Sequence, residues 1–278
     1  TRCSRDWSSD VCSSDLIPAP QSVAFSIFNV PVYWYGITMA LAIFVGILMA
    51  NFLHNKINPT ERKDVIIEYS PLIIFCGILG ARIYFCSLNP SYYFTHPLVI
   101  LDIREGGLSI HGGILFGILS LLFVARKAKL SFLPLLDSMG CATILGQAIG
   151  RWGNYFNSEA YGLPIIGQNW GLFIPEGKRI FEYSNYTLFH PTFLYESICD
   201  IFGFAILFMV LRYLGKQYRG LVFFLYLVIY AIIRFFIERI RIDSALNLGS
   251  LPIAEIASCC LFVVGIVGMM IILAKKRV

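Results

Sequence analysis

Seven long apolar stretches constrain this chain more than any other feature. About 20 apolar residues cross the hydrocarbon core of a bilayer as a helix, and backbone polar groups there must be paired internally. We therefore predict an all-α, polytopic integral membrane protein with about seven transmembrane helices. The stretches are Tyr33–Leu53, Ile66–Ser87, Ile110–Ala125, Leu133–Gly150, Thr192–Leu214, Leu221–Ile240 and Ile253–Ala274.

The composition excludes the main alternatives to a membrane protein. Hydrophobic residues make up 57% of the chain and charged residues only 14%, whereas soluble domains carry about 25% charged residues. This balance excludes a soluble enzyme, a disordered chain and a nucleic-acid-binding protein. Six cysteines lie in apolar runs without CxxC spacing, which indicates buried small side chains, and no metal-ligand set is recognisable.

Basic residues follow alternate apolar stretches and predict the orientation of the chain. Short loops rich in Lys and Arg face the cytoplasm. The N-terminus is then predicted to lie outside and the C-terminus inside, with an extracytoplasmic segment at 163–190. The basic groups are Lys56, Arg62 and Lys63; Arg126, Lys127 and Lys129; Arg212, Lys216 and Arg219; and Lys275, Lys276 and Arg277.

The first 16 residues, TRCSRDWSSDVCSSDL, differ in composition from the rest of the chain. They resemble the in-frame translation of a sequencing-library adapter, so we interpret residues 1–16 as a non-native tail. A natural disordered N-terminus is the alternative. Residues 17–278 are then predicted to form a single transmembrane domain.

Three arginines, Arg82, Arg151 and Arg234, lie within or at the end of apolar stretches. A charge at the centre of a bilayer costs about 2.5–3.5 kcal/mol on insertion scales, so each is a candidate functional residue. The alternative is that each reaches the interface or pairs structurally. Tyr230, Arg234 and Glu238 are spaced to share one helix face, which would let Glu238 orient the Arg234 guanidinium.

Acidic and glycine-rich segments accompany these arginines. Glu196 and Asp200 are also one helical turn apart and could supply opposing charges. His111 stands between two glycine pairs in GGLSIHGG, where it could open onto a cavity and accept a proton. The run at 150–162, GRWGNYFNSEAYG, combines Arg, Asn, Glu and aromatic residues at the end of an apolar stretch, which is more than a structural hairpin needs.

Five segments together resemble the bacterial prolipoprotein diacylglyceryl transferases. They occur in order from about residue 25 to 275, and this order makes the resemblance specific. The segments are WYG at 34–36, SIHGG at 109–113, GRWGNYFNSEAYG at 150–162, HPTFLYES at 190–197 and YAIIRFFIERIR at 230–241.

The resemblance implies an activity and its partners. In this family the diacylglyceryl group of phosphatidylglycerol is transferred to the lipobox cysteine thiol of a prolipoprotein signal peptide. A thioether forms, glycerol 1-phosphate leaves, and lipoprotein maturation begins. The resemblance further implies a multi-pass protein of the bacterial cytoplasmic (inner) membrane, in contact with membrane lipids, with its active site toward the outer leaflet and no cofactor.

The same resemblance assigns roles to individual residues. Arg151 corresponds to the arginine that binds phosphatidylglycerol, Arg234 to a second essential arginine and His111 to the proposed base, so these three are the predicted catalytic residues. The remaining predicted substrate-binding residues are Tyr35, Asn154, Glu159, Gly162, Tyr230 and Glu238.

Two mechanisms and three other functions stay open on the sequence alone. His111 could remove the thiol proton, or the field of the two arginines could lower the thiol pKa while His111 only positions groups. A lipid transporter or scramblase would move phosphatidylglycerol without alkylating a peptide, and it would usually contain internal repeats, which are not evident here. A hydrolase would cleave the headgroup without a thiol acceptor, and a purely structural anchor would leave the arginines unexplained.

Overall fold

Eight α-helices make up most of the computed structural model, which describes residues 16–102, 106–168, 170–242, 247–248 and 251–275. Seven helices in this part of the chain are long and apolar enough to cross a membrane, which confirms the prediction. The predicted tail except Leu16, together with Lys276 and Arg277, lies outside the described residues. The helices are α1 (Trp34–Ile57), α2 (Val65–Ser87), α3 (Pro90–Thr95), α4 (Ile110–Lys127), α5 (Phe132–Asn157), α6 (Thr192–Leu214), α7 (Leu221–Glu238) and α8 (Ile253–Ala274).

Helix α5 differs most from its predicted span. The apolar pattern predicted an end at Gly150, but the helix continues to Asn157. Glycine weakens an isolated helix, yet here Gly153 serves the contact between α5 and α1. A Cβ on Gly153 would lie 2.9 Å from Thr38 Oγ1 and 3.0 Å from Tyr35 Cδ2. Packing against α1 therefore outweighs the low helix propensity of glycine, and residues 151–157 are helical.

Short strands lie before α1 and in two of the connections between the long helices. Strands β2 (Val23–Ile27) and β3 (Val30–Tyr33) form an antiparallel hairpin that leads directly into α1. Strand β1 (Leu16–Ile17) pairs in parallel with β4 (Gly171–Phe173), which pairs antiparallel with β5 (Leu188–Phe189). Strands β6 (Asn247–Leu248) and β7 (Leu251–Pro252) form a small hairpin just before α8.

The chain divides into two compact units. One contains the residues up to Gly46 and those from Gly140 onward, and the other is Ile47–Met139. Within the second unit, α2 and α4 pack closely through small residues. A Cβ on Gly112 would lie 2.2 Å from the carbonyl oxygen of Gly80, so the two backbones approach each other at this crossing.

Within the first unit, α7 packs against α6 and α8. The predicted outer segment at 163–190 shares an apolar core with residues that flank it at both ends. Its members are 4% exposed or less: Tyr161, Leu172, Ile174, Phe189 and Phe193. Lys178 closes this segment onto the end of α5, because its Nζ donates to the carbonyl oxygen of Asn157 at 2.6 Å. The segment is therefore a compact cap.

Candidate active site

Arg151 and Glu196 pair where α5 and α6 meet. The Nε of Arg151 lies 2.8 Å from Oε2 of Glu196. The neighbouring Ser197 hydroxyl donates to the carbonyl oxygen of Ala148 at 2.9 Å, which fixes α6 against α5 one turn from Arg151. Glu196 is 3% exposed. A buried carboxylate is tolerated only when it is paired and hydrogen-bonded, and Arg151 supplies the first of its partners.

Arg234 on α7 supplies the second partner. Its Nη1 lies 3.4 Å from Oε1 of Glu196, and its Nη2 lies 2.6 Å from Oε2 of Glu238. The contact between Arg234 and Glu238 is the one that their four-residue spacing predicted. Because Glu196 forms ion pairs with both arginines, guanidinium groups from α5 and α7 converge on one buried carboxylate from α6.

The cluster carries further acidic groups on the same helices. Asp200, one turn beyond Glu196, is 3% exposed and close enough to Arg151 to interact electrostatically. Glu238 is 5% exposed. Both predicted acidic residues of α6 are thus buried beside the arginines, with Glu196 in direct contact with Arg151 and Arg234.

Asn154 and Glu159 lie together at the end of α5. The Asn154 amide donates to Oε1 of Glu159 at 3.0 Å, and the Glu159 backbone N–H donates to the Asn154 carbonyl oxygen at 3.1 Å. Two residues with positive φ, Ser158 and Ala160, turn the chain here. The turn brings Glu159 back toward the helix that carries Arg151.

Tyr35 and Tyr230 approach the cluster from α1 and α7. The close contact between Gly153 and α1 places Tyr35 next to α5, within electrostatic range of Glu159 and Arg151. The Tyr230 ring lies 6.1 Å from that of Tyr226, centroid to centroid. The structure thus groups Tyr35 with the α5 residues and places Tyr230 one turn before Arg234 on α7.

Gly162 joins three parts of the chain. Its backbone N–H donates to the carbonyl oxygen of His190 at 2.9 Å, and it forms an isolated bridge with Arg241. A Cβ at this position would lie 2.9 Å from side-chain atoms of His190, Thr192 and Ile240. Close packing therefore accounts for glycine at this position.

His111 belongs to the other compact unit, Ile47–Met139, and lies in the first turn of α4. Its side chain is exposed. Its Nδ1 is 3.5 Å from the Ser109 hydroxyl oxygen, and its ring centroid is 5.9 Å from that of Tyr84. An exposed imidazole can exchange a proton, as the proposed base requires.

Glu196 is the site residue that the predicted set did not contain. The sequence does carry a signal for it, because two acidic residues one turn apart in an apolar stretch are costly unless paired. The pairing with both Arg151 and Arg234 needs three helices to meet, and the spacing within α6 cannot indicate this. Among the residues that the structure describes, no group of three or more His, Cys, Asp or Glu is arranged to hold a metal ion.

Comparisons with known proteins identify relatives along most of the chain. The family model for prolipoprotein diacylglyceryl transferase matches residues 22–271. The phosphatidylglycerol–prolipoprotein diacylglyceryl transferase of Clostridium novyi is 42% identical over 252 residues, which cover 88% of this chain and 93% of that protein. The enzyme of the same name from Synechocystis is 40% identical over 256 residues, covering 90% and 88%. That from Trichormus variabilis is 38% identical over 268 residues, covering 94% and 93%.

Proposed function

This chain belongs to the prolipoprotein diacylglyceryl transferase family, and we propose that its reaction takes place at the cluster of Arg151, Glu196 and Arg234. The enzyme transfers the diacylglyceryl group of phosphatidylglycerol to a prolipoprotein, which is the first step of lipoprotein maturation. Family membership sets aside the lipid transporter, the headgroup hydrolase and the structural anchor. The residue roles below are part of the proposal.

Arg151 and Arg234 bind the phosphate of phosphatidylglycerol. Glu196 engages only the Nε of Arg151. In the described part of the chain neither terminal nitrogen of Arg151 has a hydrogen-bond partner, so both can donate to two phosphate oxygens at once. Arg234 adds a second positive charge from α7. As the glyceryl C–O bond breaks, charge grows on the departing phosphate, and these fixed donors stabilise it.

The nucleophile is the lipobox cysteine thiol of the substrate. In the proposed step His111 accepts the thiol proton, and the sulfur attacks the glyceryl carbon that bears the phosphate. A C–S bond forms and the C–O bond to the phosphate breaks. Glycerol 1-phosphate leaves with the bonding electron pair, and the proton passes from His111 to solvent. A thiolate is needed because a thiol is a poor nucleophile.

Other parts of the site orient the lipid and the peptide. Tyr35, Asn154 and Glu159 form the α1 and α5 side of the proposed substrate site, and Tyr230 and Glu238 form the α7 side. Gly162 keeps the cap close to the end of α7. Membership of the family supports a location in the bacterial inner membrane, and the basic residues of alternate loops support an orientation with the site toward the outer leaflet.

The observation that carries the proposal is the sharing of Glu196 by Arg151 and Arg234. The test is transfer of labelled diacylglycerol from phosphatidylglycerol to a lipobox peptide by the reconstituted protein. We expect Arg151→Ala and Arg234→Ala each to lower transfer by about 10²- to 10³-fold, the cost of one lost oxyanion donor, while the protein still inserts into the membrane.

Arg239→Ala is the matched control, since Arg239 lies just after α7 but pairs with Glu255 and is 60% exposed. Transfer at the wild-type level in either of the first two variants would contradict the assignment. Release of glycerol 1-phosphate without the peptide would point to hydrolysis as a competing reaction of the same site.

A further inference from the structure

Arg82 on α2 donates to five backbone carbonyl oxygens. The Nε binds Ile100 at 2.9 Å. One terminal nitrogen binds Gly106 and Gly107 at 3.1 and 2.9 Å, and the other binds Val99 and Asp102 at 2.6 and 2.7 Å. A guanidinium has five N–H donors, so all of them are used. Arg82 therefore has no donor left for a lipid phosphate, unlike Arg151.

The surroundings of Arg82 leave it little freedom to move. Arg82 is 6% exposed, and its Cζ lies 5.9 Å from the ring centroid of Phe85 and 5.7 Å from that of Tyr93. Gly107 has a φ of +74°, and a Cβ there would lie 2.3 Å from a terminal nitrogen of Arg82. The close approach of the chain to the guanidinium thus depends on glycine at 107.

The carbonyls bound by Arg82 belong to the chain that leads into α4. Ser109, two residues after Gly107, donates its backbone N–H to the carbonyl oxygen of Ala81 at 3.0 Å. Gly112 then packs against Gly80 at the crossing of α2 and α4. Residues 80–82 of α2 therefore contact the chain on both sides of the point where α4 begins. His111 lies in that first turn of α4.

We propose that Arg82 is a positioning residue for His111: by binding the carbonyls of Val99, Ile100, Asp102, Gly106 and Gly107, it fixes the chain that enters α4 and so orients the imidazole. This rests on the proposed role of His111 as base. Arg82 itself contacts neither substrate nor the reacting atoms. One side chain thus holds both the segment that ends at Asp102 and the segment that begins at Gly106.

The first test replaces the guanidinium but keeps its charge. Arg82→Lys retains the cation, but an ammonium is a compact charge that cannot reproduce the five-donor fork. We expect the backbone amides of residues 99–102 and 106–109 to exchange hydrogen at least about tenfold faster in lipid nanodiscs, the factor given by losing one or two net hydrogen bonds. Transfer should fall through kcat with little change in the KM for phosphatidylglycerol.

Arg126→Lys is the matched control, because Arg126 is exposed in the last turn of α4 and should leave both measurements unchanged. Unchanged exchange in Arg82→Lys would overturn the proposal, and so would faster exchange with full transfer.

A second pair of variants tests the contact between Arg82 and the backbone by changing the glycines instead of the arginine. Gly106 and Gly107 both have positive φ, but a Cβ on Gly106 would meet nothing within 4 Å. Gly106→Ala therefore imposes backbone strain alone, whereas Gly107→Ala adds clashes with the Arg82 guanidinium at 2.3 Å and with the Phe85 ring at 2.8 Å. We expect Gly107→Ala to raise exchange and lower transfer well beyond Gly106→Ala. Equal effects of the two substitutions would contradict a role for the Arg82 contact.

A double-mutant cycle separates this inference from the proposed function. If Arg82 acts through His111, Arg82→Lys should cost little further transfer in a His111→Asn background. If the fold-loss of transfer in the double variant equalled the product of the fold-losses in the two single variants, the positioning role would be overturned. Wild-type activity of His111→Asn alone would contradict the base role instead, and the hydrogen-exchange result would still decide whether Arg82 fixes residues 99–102 and 106–107.

Discussion

The Nε of Arg151 lies 2.8 Å from Oε2 of Glu196, and this pair joins α5 to α6 at the level of the proposed site. The other carboxylate oxygen faces Arg234 on α7. Glu196 is therefore the point at which three helices from distant parts of the sequence meet. Its pairing with Nε leaves the terminal nitrogens of Arg151 for the proposed contact with the lipid phosphate, so the packing of the helices would bear directly on transfer.

Removing Glu196 should cost both stability and activity. Glu196→Ala leaves two partly buried guanidinium groups without their shared anion, and breaking a buried ion pair typically costs about 3–5 kcal/mol. Glu196→Gln keeps the shape and one acceptor, so its thermal unfolding midpoint should fall less. Unfolding in detergent and the transfer assay measure the two effects. Glu182→Gln, at an exposed position in the cap, is the control, and equal behaviour of all three variants would refute the role of Glu196.

His111→Asn should depend strongly on pH. Asparagine cannot accept a proton, so at neutral pH we expect a loss of about 10²- to 10⁴-fold, the usual contribution of a general base. Near the ordinary thiol pKa of about 8.5 the substrate ionises by itself, and activity should partly recover. The pH dependence of kcat/KM with a lipobox peptide measures this. His96→Asn, an exposed position, is the matched control, and neutral activity equal to that of the wild type would exclude the base role.

Gly162→Ala should destabilise the cap. The added Cβ would meet three side-chain atoms at 2.9 Å, and overpacking of this kind costs about 1–3 kcal/mol. Gly177→Ala is the matched control, because a Cβ at 177 meets nothing within 4 Å. Thermal unfolding and the rate of protease cleavage within 163–190 report the effect. If Gly162→Ala and Gly177→Ala unfold alike, the close packing does not contribute to stability.

Asp64 should make stability depend on pH in the acid range. The Asn51 and Asn55 amides donate to its Oδ1 at 2.7 and 2.9 Å and lower the pKa of Asp64. Because the pKa is lower in the folded protein, the stabilisation is present above the ordinary Asp range of about 4 and is lost as pH falls through the lowered pKa. Asp64→Asn should therefore lower the unfolding midpoint at neutral pH. That difference should vanish in acid, and a pH-independent difference would contradict the assignment.

The seven spans could be predicted because crossing lipid requires a local property, a continuous apolar run. The contact between Arg234 and Glu238 could be predicted for the same reason, since helical spacing alone brings them together. The continuation of α5 through Gly153 could not, because it depends on packing against Tyr35 and Thr38, more than a hundred positions earlier in the sequence.

Arg82 and Arg151 show that the role of a charged residue in an apolar stretch also cannot be predicted from local sequence. Both are arginines in or beside apolar stretches, and the sequence gives each the same two interpretations. The structure separates them by their partners: five carbonyls use every donor of Arg82, whereas one carboxylate engages Arg151 through its Nε. Which donors remain free depends on the tertiary path of the chain, and no local pattern encodes it.

The helical continuation of α5 gives Arg151 a fixed height and direction. Seven residues beyond the apolar pattern extend the helix by about 10 Å at 1.5 Å per residue. Arg151 is therefore attached to a regular helix and not to a loop, which restricts where its guanidinium can lie. One residue inserted between Gly150 and Arg151 would rotate the side chain by about 100° around the helix axis, away from Glu196. In this stretch, the number of residues matters as much as their identity.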